Sequence, residues 1–115
     1  MLKGRKRSKY QNKRTEINGK KFDSKAEAAR YEYNLLRIQA GELYYQLMQC
    51  PFHLPGGITY RVDFMEVYPD GRIEFVDVKG YVTDTFKLKK KQVESLYPVI
   101  IRCIKLKKGY EFTDL

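Results

Sequence analysis

The sequence predicts an α/β fold, a mixed sheet flanked by helices, carrying a flexible basic arm at its N-terminus. Three observations predict it. Apolar residues recur at helical spacing after Asp23-Ser24, and β-branched and aromatic runs bounded by turn residues follow, with a lysine-rich helical segment before the last of them. The first twenty or so residues, in contrast, offer almost nothing apolar to bury. A chain of 115 residues, 43% hydrophobic and with ten tyrosines, has room for one domain and one core. The expected division is an arm over residues 1–21 and a folded domain over 22–115.

Between Met1 and Lys21 nine Lys or Arg residues stand against one acid, Glu16, whereas from Phe22 onward fourteen bases meet thirteen acids. Nearly all of the formal charge of +9 therefore sits on the arm. Such a segment is disordered when free and attracts polyanions through counterion release. Its candidate DNA contacts are Lys3, Arg5, Lys6, Arg7, Lys9, Lys13 and Arg14. A solubilising tail would have the same composition.

After the arm, Asn18-Gly19 marks a tight turn between two short strands. Asp23-Ser24 opens a helix that runs to about Gln39 and closes at Gly41, with Ala29, Tyr33 and Leu36 on one stripe beside Tyr31, Leu35 and Ile38. A strand from about Glu42 to Phe52, broken near Pro51, leads to a loop at Pro55-Gly56-Gly57. Thr59 to Tyr68 and Arg72 to Gly80 are strand-like and joined by Pro69-Asp70-Gly71, a strong turn signal. A second helix from about Thr83 to Leu96 carries Lys87, Lys89, Lys90 and Lys91 and stops at Tyr97-Pro98. Val99 to Ile104 reads as a final buried strand.

No apolar run approaches the roughly 18 residues of a membrane span, and no apolar segment follows the basic N-terminus as in a secretory signal. The expectation is a cytoplasmic protein, in the host cell if phage encoded, with no membrane partner. Cys50 and Cys103 then read as reduced strand residues; with His53 the only histidine and no paired cysteines, they make no zinc site.

The turn also sets a register. A three-residue loop with Pro at its second position and Gly in the left-handed bulge pairs Tyr68 with Arg72. Paired positions then sum to 140, which puts Asp63 opposite Asp77, with Lys79 two residues further along the same face. Two facing carboxylates destabilise a sheet unless something neutralises them. A divalent cation would do so, because hard oxygen ligands suit Mg²⁺. Solvent at a sheet edge, or Lys79 alone, would do so as well. Val62, Phe64, Val76 and Val78 supply apolar cover on the other face and argue for central strands. Glu27 lies on an inward stripe with Tyr31 and Leu35, but Ser24 to Glu27 is also a capping box in which Glu27 would bond the Ser24 N–H.

An acid near the start of the first helix, an aspartate on one strand and Asp-x-Lys on the next resemble the PD-(D/E)XK nuclease superfamily over Phe22 to Ile104. Val62 stands where that motif's name has proline. More closely, SKAEAARY, YRVDF, VDVKG and LKKKQ followed by Tyr-Pro resemble a small phage and prophage family known as a domain of unknown function. The resemblance implies a restriction-endonuclease-like core of helix, three strands, helix and strand. It implies that Glu27, Asp63, Asp77 and the carbonyl of Val78 bind one or two Mg²⁺ or Mn²⁺ ions, with no small-molecule cofactor. Lys79 would orient the attacking water or neutralise developing charge. Lys89 and Gln92 are secondary catalytic candidates, and Lys87, Lys90 and Lys91 are further DNA contacts; a solvated basic face is the plain alternative for that helix.

The activity so implied is a Mg²⁺- or Mn²⁺-dependent DNA endonuclease. Branched DNA such as a Holliday junction would fit a homodimer that cuts two strands, by analogy with related folds. Two other readings remain open at this stage. One is a non-catalytic nucleic-acid-binding protein acting through the arm and the Lys87 to Lys91 cluster, the other a phage assembly protein whose acids form surface ion pairs.

Overall fold

A computed structural model describes residues 15–115, so the predicted contacts between Lys3 and Arg14 lie outside the described residues. The elements are β1 (Thr15–Ile17), β2 (Lys20–Phe22), α1 (Lys25–Gln39), β3 (Tyr45–Leu54), β4 (Ile58–Val67), β5 (Ile73–Val78), α2 (Asp84–Leu96), β6 (Ile101–Lys108) and β7 (Glu111–Asp114). Asn18 and Gly19 both take positive φ, 54° and 79°, as the two-residue turn between β1 and β2 requires. Ile17 and Phe22 of this hairpin pack into the core beside Ala28 and Tyr31 of α1. Residues 15–21, grouped with the arm by charge, are thus seated on the domain.

β3 to β7 form a five-stranded sheet in sequence order. Its strands are antiparallel except β5 and β6, which are parallel and joined through α2. A parallel pair needs such a crossover, and the helix returns the chain across a face of the sheet. Ala28 and Tyr31 of α1 pack on Phe64, Val76, Val78 and Ile104, while Phe86 and Val93 of α2 pack on Phe52, Leu54, Val62, Ile101 and Cys103. Each such fully buried apolar side chain is worth about 1.5–3 kcal/mol relative to exposure. Both helices start where their caps place them: Ser24 Oγ accepts from Glu27 N–H at 3.1 Å and Thr83 Oγ1 from Phe86 N–H at 3.0 Å. Gly41, at φ 79°, closes α1.

Three expectations are corrected. Pro51 does not break β3: it pairs with Arg61 within an edge strand, where a proline is tolerated. The last strand is not Val99 to Ile104: β6 runs from Ile101 to Lys108 because β7 pairs along its second half. Leu36 is half exposed, and the buried face of α1 is instead Ala28, Arg30, Tyr31 and Asn34. Two of those four are polar, and they meet a carboxylate. Glu66, fully buried in β4, accepts two hydrogen bonds of 2.8 Å from Arg30, one of 2.9 Å from Asn34 and one of 3.2 Å from Arg37.

Among the described residues, no helix is long and apolar enough to cross a membrane. Cys50 and Cys103 are free thiols in β3 and β6.

Candidate active site

The site is laid out by the β4–β5 turn. Gly71 sits at φ 91°, its N–H donates to the Tyr68 carbonyl at 2.9 Å, and Tyr68 N–H donates to Arg72 O at 2.8 Å. From there the ladder runs Val67–Ile73, Glu66–Glu74, Met65–Phe75 and Phe64–Val76, the register that the turn chemistry predicts. The backbone pairing ends at Phe64–Val76, one step short of the two aspartates.

At that step the carboxylates take the place of the ladder. Asp77 Oδ1 accepts the Asp63 N–H at 2.9 Å, and Asp63 Oδ2 accepts the Val78 N–H at 2.9 Å. The same position is irregular on its other side. Met48 pairs with Phe64 and Cys50 with Val62, but Gln49, opposite Asp63, is unpaired, has φ 56°, and donates its amide to Asp63 Oδ1 at 3.3 Å. A left-handed backbone at a residue other than Gly or Asn is uncommon and costs energy.

The pleat also breaks here. Phe64 joins the core under α1, whereas Val62, two residues before it, joins the core under α2. Strict alternation would put both on one face. The expectation that Val62 and Phe64 cover the same face is therefore corrected, and the cause is the opening of β4 around Asp63. Through this opening one aspartate can meet groups on both helical sides.

Asp77 is 1% exposed, and Tyr60 on β4 donates its hydroxyl to Asp77 Oδ2. Burial first, and then the Asp77 charge, hold the Tyr60 phenol far above its ordinary range, so it remains a donor. Asp63 is 8% exposed, and its carboxyl is pushed up to about 8. Burial is the main cause, followed by the charges of Asp77 and Glu27; the Val78 N–H and Lys79 work the other way. Glu27 is half-buried and also raised, by burial and then by Asp23, against a hydrogen bond from the Asp23 N–H and the pull of Lys79. The reach-back expected at the capping box thus goes to Asp23, not to Ser24.

Lys79 follows β5, anchored by its N–H on Ile104 O at 2.8 Å, with its Nζ 4.8 Å from the centre of the Phe86 ring. The charges of Asp77, Glu27 and Lys79 act on the Asp63 carboxyl, and those of Lys79 and Asp77 act on Glu27. Lys89 and Gln92 are half-buried on α2, and among the described residues neither side chain makes a hydrogen bond or ion pair to the acids. Lys87 and Lys91 are exposed, but Lys90 is engaged by Glu94 at 2.7 Å. Tyr60 and Gln49 were missed by sequence reasoning. Tyr60 lay in the YRVDF segment three residues before Asp63, and nothing in the sequence marks Gln49.

Among the described residues, no three His, Cys, Asp or Glu side chains stand close enough together to hold a metal ion. The donor chemistry is nonetheless that of a hard cation, since carboxylate and carbonyl oxygens suit Mg²⁺ and Mn²⁺. Asp63 and Asp77 bring two carboxylates together, and the charge of Glu27 also acts on Asp63. A hollow of about 390 Å³ opens beside Glu27 and Asp63, with Lys20, Lys21 and Gln49 in its walls. A larger one, about 840 Å³, lies at the other end of β5 and β6 around Ile73, Phe75, Tyr97 and Arg102, away from these acids.

Fold and site together define a mixed α+β domain with a five-stranded sheet and a buried carboxylate pair at its centre. The chain belongs to the family described as "Protein of unknown function (DUF1064)", whose model matches residues 7–108. No curated protein and no solved structure gives a significant match.

Proposed function

We propose that this protein is a metal-dependent DNA endonuclease with a restriction-endonuclease-like core. The observation that carries the reading is the Asp63–Asp77 pair. Two adjacent carboxylates are buried where β4 and β5 part, and one of them is pushed up to about 8 by burial and by the charges of Asp77 and Glu27, which outweigh the Val78 N–H and Lys79. Burying like charges together is costly, and groups perturbed in this way cluster at functional sites. A charge pair kept only for stability would be matched acid to base, as Glu66 is to Arg30.

Asp63, Asp77, Glu27 and the Val78 carbonyl are the groups that would hold Mg²⁺ or Mn²⁺. When bound, the ion would supply an acidified water and a positive counter-charge for the scissile phosphate. Asp77 keeps one orientation because its two oxygens are tied to the Asp63 N–H and the Tyr60 hydroxyl. Lys79 sets a fixed positive charge beside the acids, where charge develops on a phosphate under attack. The basic arm and the exposed Lys87 and Lys91 suit contacts to the DNA backbone that carry no sequence information.

The test is incubation of the full chain with plasmid and a four-way junction in Mg²⁺, Mn²⁺ or EDTA, beside Asp77→Ala and Lys79→Ala. Cutting that needs metal is expected, with both variants folded, binding DNA, and slower by about 10²–10³ or more. Well-folded protein that binds DNA and never cuts would turn the reading into a non-catalytic DNA-binding protein. A homodimer is expected if both junction strands are cut together.

A further inference from the structure

The approach to the acids is one-sided. Asp77 is closed off under Tyr60, whose ring lies 6.3 Å from that of Phe86 on α2. Glu27 and Asp63, in contrast, line the hollow between the β1–β2 hairpin and β3. That hollow adjoins a second one of about 440 Å³, with Lys20 and Met48 common to the walls of both. The second continues over Tyr31 and Leu35 to Tyr45, a residue 53% exposed. Together they make a groove from the carboxylates to an exposed aromatic ring.

The chemistry of this groove changes along its length. At the acid end stand Lys20 and Lys21, both exposed on a hairpin fixed by Ile17 and Phe22 in the core. Gln49, held in its left-handed conformation, presents an amide beside Asp63. Strain of this kind persists only where the surroundings enforce it, and it concentrates at ligand sites. At the far end Tyr45 offers a π-face. Cationic side chains along a groove with an aromatic platform are the recognition chemistry of a single nucleic-acid strand. Each hollow is near the lower end of the volume range for small-ligand clefts, a size that suits single nucleotides taken one after another.

We propose that this groove binds a single-stranded segment of nucleic acid, with Lys20 and Lys21 on its phosphates and a base stacked on Tyr45. The proposal rests on the nuclease reading for its orientation, since it leads an unpaired strand to Asp63. It narrows the substrate class to DNA with a single-stranded region, such as a flap or a splayed end. It also adds three contact residues beyond the arm and α2.

The experiment is fluorescence anisotropy of the full chain in EDTA with a labelled twelve-nucleotide oligothymidylate and a flush twelve-base-pair duplex, over a series of salt concentrations. The single strand is expected to bind more tightly than the duplex. Lys20→Ala/Lys21→Ala should lower the slope of log K against log salt by about 1.4, two phosphate contacts' worth. Lys105→Ala/Lys108→Ala, an equal charge loss at exposed positions of β6, should leave it unchanged. Tyr45→Ala should weaken the single strand on the order of tenfold and spare the duplex, and Tyr45→Phe should restore binding. Equal or tighter duplex binding, an equal slope change in the β6 pair, or no effect at Tyr45 would overturn the groove. Cutting with Mn²⁺ is scored separately: cutting without these binding effects removes the groove alone, and these effects without cutting remove the nuclease alone.

Discussion

Glu66 and Asp63 are both buried carboxylates of β4, three residues apart, and they are treated in opposite ways. Burial works against the charge of Glu66, but hydrogen bonds and charge from Arg30, with Asn34 and Arg37, hold its carboxyl below the usual range. The guanidinium groups are enclosed in turn, Arg30 5.0 Å from the centre of the Phe112 ring and Arg37 4.8 Å from that of Tyr33. Burial of Asp63 is compounded by two more acids, and its carboxyl is raised to about 8. One carboxylate is matched by bases that keep it charged, whereas the other is buried beside two further acids with only Lys79 and the Val78 N–H opposing them. Glu66 clamps α1 to β4 through Arg30, one helical turn after Glu27. The Glu66 cluster thereby fixes the helix that carries Glu27.

The contrast can be broken most forcefully at Arg30. Arg30→Met leaves Glu66 buried without its bidentate partner, and removal of one member of a buried pair costs about 3–5 kcal/mol. Arg30→Met/Glu66→Met should recover most of that loss, since a buried ion pair is often no better than apolar packing. Urea unfolding at pH 7 reads both. A single variant as stable as the natural chain would show that the cluster carries no structural role, and the comparison would collapse.

Asp63 gives the next effect, and its sign is opposite to that of Glu66. The folded state keeps the Asp63 proton up to about pH 8, whereas the unfolded chain releases it near 4. Between those values the folded state binds more protons, so stability falls as pH rises, by up to about 1.4 kcal/mol per pH unit. Below that window both states are protonated, and above it both are charged. Glu66, lowered, does the reverse: its contribution is present above the usual glutamate range and is lost as pH falls below it. Asp63→Asn should flatten most of the fall between pH 4 and 8, leaving the smaller share due to Glu27, raised in the same direction. Under the nuclease reading Mn²⁺ at pH 8 should raise the unfolding midpoint of the natural chain and leave that of Asp63→Asn where it was. Saturation at a hundredfold over Kd would add about 2.7 kcal/mol. A stability profile flat through this window would show that Asp63 is already compensated.

The parts legible in the sequence were those fixed by local chemistry. Pro69 and Gly71 admit one loop geometry, so the pairing of β4 with β5 followed to the residue, and Ser24, Thr83 and Gly41 set the helix ends. Asp63 opposite Asp77 followed from that register, with Lys79 beyond them, whereas Glu27 was singled out by its helical stripe and by the family resemblance. What stayed hidden depends on contacts between distant segments. The Arg30–Glu66 cluster joins positions thirty-six apart. Its one local trace was that Arg30 and Asn34 share a helical face while Glu66 interrupts an apolar strand. β7 is a four-residue edge strand without apolar alternation, announced only by Gly109 at φ 53° in the turn before it. Gln49 and Tyr60 reach the aspartates because β4 changes face at Asp63, and no spacing rule marks such a break.

The smallest effect sharpens the comparison at Gln49, whose left-handed backbone stands beside Asp63. A non-glycine residue in the left-handed region costs about 1–2 kcal/mol, and glycine there costs almost nothing sterically. Gln49→Gly and Gln49→Ala both lose the amide that reaches Asp63, but only the first relieves the backbone. Their difference in urea unfolding should therefore be about 1 kcal/mol in favour of glycine, after allowing for the greater freedom of glycine in the unfolded chain. Under the nuclease reading, both variants should cut DNA equally slowly if the amide itself serves the site. If Gln49→Gly is the more stable and fully active, the left-handed turn exists to open β4 and the amide is incidental. If it is more stable and slow, the strain is maintained to hold that amide beside Asp63, as the groove requires.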